Sequence, residues 1–310
     1  MNPRRSWMPL AAVAVTLVLW ASAFVAIRHL GHTFSPGGLS LGRLLVGALA
    51  LGLVLATRGS GRPGPRLPGK RDWPGLVGIG LLWFGLYNVA LNAGERRIDA
   101  GTSAMLIQLS PVLVAVLAAV FLREKATPLL GIGLLVALGG VAVISFSTSG
   151  ASHRDPLGVL LCLVSAAAYA VALVLQKPLV GRLSALQVTW AACTVGAVAC
   201  LPFAGQLVSD ARSASTGDLL WVVYLGLFPT AIAFTTYAYA LSQMGAANLA
   251  VTTYLVPPIT VLMGWLVLDE TPPTMAYVGG VLCLVGVSVA RHKPRRPSTP
   301  LAEGLAEARP

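Results

Sequence analysis

Apolar residues along this chain of 310 residues come in long blocks, and the charged residues fall between them. A helix that crosses a bilayer needs about 20 mostly apolar residues. Ten blocks approach that length: Met8–Ile27, Leu39–Thr57, Trp73–Asn92, Ala100–Leu122, Pro128–Phe146, Pro156–Gln176, Ala185–Phe203, Leu219–Leu241, Ala246–Leu268 and Thr274–Ala290. The breaks carry turn and charge signals. The clearest, Arg58–Asp72, holds three prolines, four glycines and five basic residues. The pattern predicts an all-α integral membrane protein of ten transmembrane helices. Its divisions are a short N-terminal segment (1–7), a first five-helix half (8–146), a linker (147–155), a second five-helix half (156–290) and a basic, proline-rich tail (291–310) that is expected to be disordered.

Composition agrees with this. Hydrophobic residues make up 56% of the chain and charged residues 11%. A soluble domain carries roughly 25% charged residues, and a chain of this size has too little interior to hide so much apolar side chain. Arg4 and Arg5 before an apolar run, followed by Ala21-Ser22-Ala23, invite a signal-peptide reading. The run is longer than a typical signal core and contains Trp20, so it is read as an uncleaved first helix. The net charge of +11 is a topology signal rather than a nucleic-acid footprint. With both termini in the cytoplasm, 16 basic residues fall inside and five outside, and Arg43 lies within a span.

The halves resemble one another. Placing Pro111 over Pro257, an offset of 146, brings Glu124 onto Glu270, Gly133 onto Gly279 and Gly140 onto Gly286. At 149, Trp20-Ala21 meets Tyr169-Ala170 and Arg28 meets Lys177. Five is odd, so the second copy enters the membrane from the opposite side. The expected arrangement is two inverted five-helix repeats, with a binding site near the midplane between them.

Trp20-Ala21-Ser22-Ala23-Phe24, Arg43, and Pro111 with Arg123-Glu124-Lys125, echoed by Pro257 with Asp269-Glu270-Thr271, resemble the EamA-type permeases of the drug/metabolite transporter superfamily. The resemblance covers roughly residues 8–290. It implies ten helices, cytoplasmic termini and movement of small metabolites or amino acids, often outward, across a bacterial-type inner membrane. It does not imply one substrate. A nucleotide-sugar or lipid-linked carrier of the same superfamily is the first alternative. An intramembrane enzyme and a non-transporting scaffold are alternatives of other classes.

Polar residues inside the spans are the candidate chemistry. Arg43 is the only ionisable side chain well within a block. It either snorkels outward or meets an anionic group such as a substrate carboxylate. No Asp or Glu lies in the middle of a block; Asp99, Glu124, Asp269 and Glu270 sit at ends. That argues against export of lipophilic cations through an embedded carboxylate, and for a neutral, zwitterionic or anionic substrate. Asn88 and Asn92, four apart, share a helix face that looks inward, either as interhelical glue or as a substrate contact. Trp20 and Phe24 could form an aromatic wall, with Tyr169 as the repeat counterpart of Trp20 and Tyr237 the hydroxyl in span 8 best placed for substrate. Gln108 and Tyr254 correspond under the repeat offset. Pro111, Pro257 and Pro258 are expected to kink spans 4 and 9 and free a carbonyl that Gln108 or a ligand could use.

The substrate-binding set is thus Trp20, Phe24, Arg43, Asn88, Asn92, Gln108, Tyr169, Tyr237 and Tyr254, and five of these (Arg43, Asn88, Asn92, Gln108 and Tyr237) should line one cavity. Cys162, Cys193, Cys200 and Cys283 read as small buried residues, and His29 with His32 makes no convincing metal site. No catalytic motif is found. The expected partners are a small-molecule substrate and the lipid bilayer, with a homodimer left open, no nucleic acid and no cofactor.

Overall fold

The computed structural model describes residues 7–58, 68–97, 106–125, 127–148, 155–268 and 274–291. Among these residues the regular structure is helical throughout. In chain order α1 is Met8–Leu30, α2 is Pro36–Arg58, and α3 runs unbroken through Trp73–Ile79, a π-helical segment Gly80–Tyr87 and Asn88–Glu95. Then come α4, Ser110–Phe121; α5, Pro128–Thr148; α6, Pro156–Val180; α7, Ala185–Ala199; and α8, Ala204–Ser213. The long α9, Thr216–Gln243, has a π-helical centre at Gly226–Ile232. Last are α10, which passes from Ala246–Ala250 through a 3-10 segment Val251–Leu255 to Val256–Leu268, and α11, Thr274–Arg291.

Local chemistry sets several of these ends. Asp155 caps α6 by accepting the Leu157 N–H, and Ser184 with Gln187 forms a capping box on α7. Ser215 with Asp218 does the same for α9. The predicted block Ala185–Phe203 is interrupted: α7 stops at Cys200, and the chain turns 53° through Leu201–Phe203 into α8. Pro202 has no N–H to continue the ladder, and the polar run that follows makes a helix the apolar pattern did not predict.

Seven of the described helices are long and apolar enough to cross a membrane, or eight if the bent pair α7–α8 counts as one; α4 and α5 are shorter apolar helices. Large apolar side chains such as Leu49, Leu135 and Leu220 point outward, while Arg43, Asn88, Gln108 and Gln176 are buried. That inversion of a soluble fold is what a hydrocarbon solvent demands. The chain is a multi-pass membrane protein.

The two halves exchange equivalent contacts. A Cβ at Gly140 of α5 would lie 2.6 Å from the Gly279 carbonyl of α11, and one at Gly279 would lie 2.6 Å from the Gly140 carbonyl. Gly133 and Gly286 meet with the same reciprocity further along the pair. Backbones this close are the usual seam of membrane helices. A second pair of contacts repeats across the halves. Gly80 in the π segment of α3 packs on Val195 and the Ala192 carbonyl of α7, with a Cβ there 2.5 Å from Val195 Cβ. Gly226 in the π segment of α9 packs on Val46 and the Arg43 carbonyl of α2, again at 2.5 Å from the valine Cβ. Gly80 and Gly226 are 146 apart, and Val46 and Val195 are 149 apart, the two offsets read from the sequence.

Candidate functional site

The interior chemistry is built on places where helical backbone bonding is broken. In α9, Pro229 cannot donate to the Leu225 carbonyl four residues back. Thr230 Oγ1 takes that carbonyl at 2.8 Å and in turn accepts Arg43 Nε at 3.0 Å from α2. Arg43 is therefore turned into the bundle, 6% exposed, and does not snorkel outward. Among the described residues this is its hydrogen bond, and no carboxylate pairs with it. The Tyr87 and Cys193 side chains lie near enough to interact with its charge.

In α3, the Asn88 N–H bonds to Gly85, and its side-chain amide donates to the freed Trp83 and Phe84 carbonyls at 3.1 and 2.9 Å. Asn88 thus spends its donors on its own helix, where the π segment needs them, rather than on a neighbouring helix or an open face. Asn92 does reach across, donating to Ser40 Oγ at 3.1 Å. Ser40 has Thr189 as its counterpart at 149, but the counterpart of Asn92 at 146 is Ala238, and the buried Thr189 hydroxyl has no partner among the described residues.

The proline break in α10 works similarly. Pro257 has no N–H for the Thr253 carbonyl, which instead takes the Val256 N–H in a 3-10 bond and Gln108 Nε2 at 2.9 Å. Pro257 and Pro258 stand in the first turn of the helix Val256–Leu268, and Pro111 stands in the first turn of α4. Each proline thus opens a helical segment just after an irregular joint, the position where a missing N–H costs least, and in α10 the carbonyl left over at that joint is taken by Gln108.

Between these breaks lies an aromatic cluster from four helices. Trp20 of α1 contacts Trp83, Phe234 and Tyr237, with ring centroids 6.2, 5.4 and 4.8 Å away. Trp83 also packs edge-on to Tyr169 at 4.8 Å, and Phe84 lies 4.6 Å from Phe234. The Tyr169 and Tyr237 hydroxyls bond at 2.6 Å. Tyr87 lies 6.3 Å from Tyr169 at the edge of this cluster. Among the described residues Trp20 Nε1 and the Tyr254 hydroxyl, like that of Thr189, are buried without a hydrogen-bond partner.

The predicted residues thus separate by role. Trp20, Tyr169 and Tyr237 meet in one cluster. Arg43 stands at the α2–α9 contact with Thr230, within electrostatic range of Tyr87, and Gln108 and Tyr254 stand at the α10 break. Phe24 packs on the core but is not among the ring partners of Trp20, so the aromatic wall expected along α1 is instead assembled from α1, α3, α6 and α9. Arg43, Asn88, Asn92, Gln108 and Tyr237 are all buried. Asn88 and Asn92 are committed to protein partners. Trp83, Phe84 and Phe234 were not anticipated. Near His29, which bonds Asp218 rather than His32, a cavity of about 230 Å³ is lined by Ser22, Val25, Trp221, Tyr224 and Met263.

The model of the EamA-like transporter family matches residues 6–146 and again 156–291. A "Probable terminal-alkyne amino-acid exporter" of Streptantibioticus cattleyicolor is 36% identical over 93% of this chain and 96% of its own length. The "Uncharacterized transporter YdfC" of Bacillus subtilis is 30% identical over 87% of this chain and 86% of its own. A crystallised protein 20% identical in sequence superposes with a TM-score of 0.74 over 91% of this chain and 96% of that one, which shows the fold alone. The chain belongs to the EamA-like transporter family and is a membrane transporter.

Proposed function

We propose that this transporter exports an amino-acid-like metabolite across the cytoplasmic membrane by alternating access, with the substrate carboxylate held by Arg43. The observation that carries the reading is the state of that side chain. A guanidinium has five N–H donors, and Arg43 spends only Nε on protein among the described residues. A buried charge without a counter-ion costs several kcal/mol, and the two free terminal nitrogens form the fork that fits a carboxylate. A substrate anion supplies the missing charge. The rings of Tyr87, Tyr169 and Trp20 in the same bundle offer apolar surface for the side chain of such a substrate.

The reciprocal glycine contacts support two inverted halves of five helices, the arrangement that lets one bundle rock against another. The bias of basic residues supports cytoplasmic termini. The amino-acid substrate named for the Streptantibioticus relative is in keeping with this reading.

Counterflow into proteoliposomes tests it. Apolar amino acids should exchange, and exchange should fall at least about tenfold, the worth of one hydrogen bond to a charged group, in a folded Arg43→Gln variant. Exchange of organic cations but not amino acids, or full activity in Arg43→Gln, would overturn it.

A further inference from the structure

Glu124 follows α4, and its carboxylate lands on a helix of the other half. Oε1 accepts the Ala246 N–H at 2.7 Å and Oε2 the Ala247 N–H at 3.2 Å, the first free amides of α10. From α6, Lys177 Nζ donates to the Leu241 carbonyl at 2.7 Å and to the Met244 carbonyl, at the end of α9. One anion thus holds a helix N-terminus and one cation the preceding C-terminus, each complementing the helix dipole it meets. Both converge on the two-residue turn, Met244 and Gly245, of the α9–α10 hairpin, and they sit close enough to feel each other's charge.

Two features show how closely the turn is fitted to Glu124. A Cβ at Gly245 would lie 2.8 Å from Glu124 Oε2, so a side chain there would displace the carboxylate from its seat. Arg123, just before Glu124, has φ of 53°, and it is the one non-glycine residue with positive φ among those described. The α4 C-terminus closes with Leu122 and Glu124 N–H groups both on the Ala118 carbonyl, so Arg123 takes the left-handed position that glycine ordinarily fills. Strained backbone of this kind persists where surrounding contacts enforce it. Beyond the turn, each leg of the hairpin has an irregular joint: the π segment Gly226–Ile232 with Pro229 in α9, and the 3-10 segment Val251–Leu255 before Pro257 in α10. The tip between those joints is held to the rest of the bundle through Glu124 and Lys177.

We propose that Glu124 and Lys177 are the two halves of a gate latch. They close one end of the translocation path by pinning the α9–α10 tip, and the Glu124 carboxylate leaves the Ala246 and Ala247 amides each time that end opens. The latch rests on the transport reading above for its purpose, but its existence is tested without substrate.

The test is labelling of a Thr252→Cys reporter, buried one turn beyond the latched amides, by a water-soluble maleimide in the full-length protein. The four native cysteines are buried and give a low background. Glu124→Ala should raise the labelling rate at least about tenfold, since it removes charge-assisted bonds to two amides. Glu124→Gln, which keeps the shape and one acceptor oxygen, should fall between the two. Equal rates in all three proteins would overturn the latch. Should Glu124→Ala fail to fold, Glu124→Cys with Gly245→Cys replaces it. Oxidation of this pair to a disulfide should block Thr252→Cys labelling, and reductant should restore it; labelling indifferent to the cross-link would overturn the proposal. In proteoliposomes the same cross-link should stop counterflow reversibly. Labelling that obeys the latch while the wild type moves no amino acid would instead sink the substrate reading alone.

Discussion

Gln108 and Thr253 lie 145 residues apart in sequence, yet the Gln108 amide donates to the Thr253 carbonyl at 2.9 Å, joining the start of α4 to the broken segment of α10. The bond exists because Pro257 lacks the N–H that would have served that carbonyl in a regular helix. Gln108→Leu should lower stability by about 0.6–2 kcal/mol, the range of hydrogen bonds between membrane helices. Thermal unfolding in detergent reads this, and an unchanged midpoint would mean that the bond contributes nothing net.

The hydroxyls of Tyr169 and Tyr237 are each other's partners at 2.6 Å in a buried cluster. Either Tyr169→Phe or Tyr237→Phe alone leaves a buried hydroxyl unsatisfied and should cost about 1–3 kcal/mol. The double variant removes both groups and should cost less than the two singles combined. A double-mutant cycle measures the coupling; strict additivity would contradict the pairing.

Adjacent glycines in α5 make opposite predictions. Gly140 faces the Gly279 carbonyl, whereas a Cβ at Gly139 meets nothing within 4 Å. Gly140→Ala should force α5 from α11 and cost about 1–3 kcal/mol, as overpacking does. Gly139→Ala should be neutral or gain up to about 1 kcal/mol from helix propensity. Unfolding midpoints of the two variants side by side decide it.

Outside the spans, Asp155 caps α6 and pairs with Arg97 at 2.9 Å. The Arg97 side-chain hydrogen bond first, then the Leu157 N–H, hold its carboxyl below the usual carboxylate range. A depressed pKa stabilises the folded state above the unfolded value, about 3.9 for Asp, and the contribution is lost as pH falls through the folded value. Wild type should therefore exceed Asp155→Asn in stability at neutral pH, and the two midpoints should converge on acidification below that range. Curves parallel from pH 7 to pH 3 would contradict the ion pair.

The apolar blocks made the membrane class legible, and inward-facing polar residues could be named because lipid tolerates few of them. Arg43, Gln108 and Tyr237 are all interior. The roles of several were not legible. Gly80–Tyr87 is apolar apart from its closing tyrosine and Gly226–Ile232 apart from Thr230, so no periodicity betrays that the backbone there is π-helical or that Asn88 serves the first of these segments. Trp83, Phe84 and Phe234 look in sequence like any membrane aromatics; only packing of four helices gathers them into one cluster with Trp20. The 146 offset that aligns Pro111 with Pro257 also aligns Gly80 with Gly226, and would have marked the paired breaks. The bend after α7 was written in Pro202, but the apolar run carried the predicted block past it.

The central claim, that Arg43 awaits a substrate carboxylate, is tested most directly by ligand-induced stabilisation of the purified protein. An apolar amino acid and its carboxamide differ only in the group that Arg43 would bind, and a ligand of the folded state raises the unfolding midpoint with saturation. The account predicts that the acid stabilises the wild type, that the amide does not, and that a folded Arg43→Gln variant responds to neither. Equal stabilisation by acid and amide, or an undiminished response in Arg43→Gln, would contradict it.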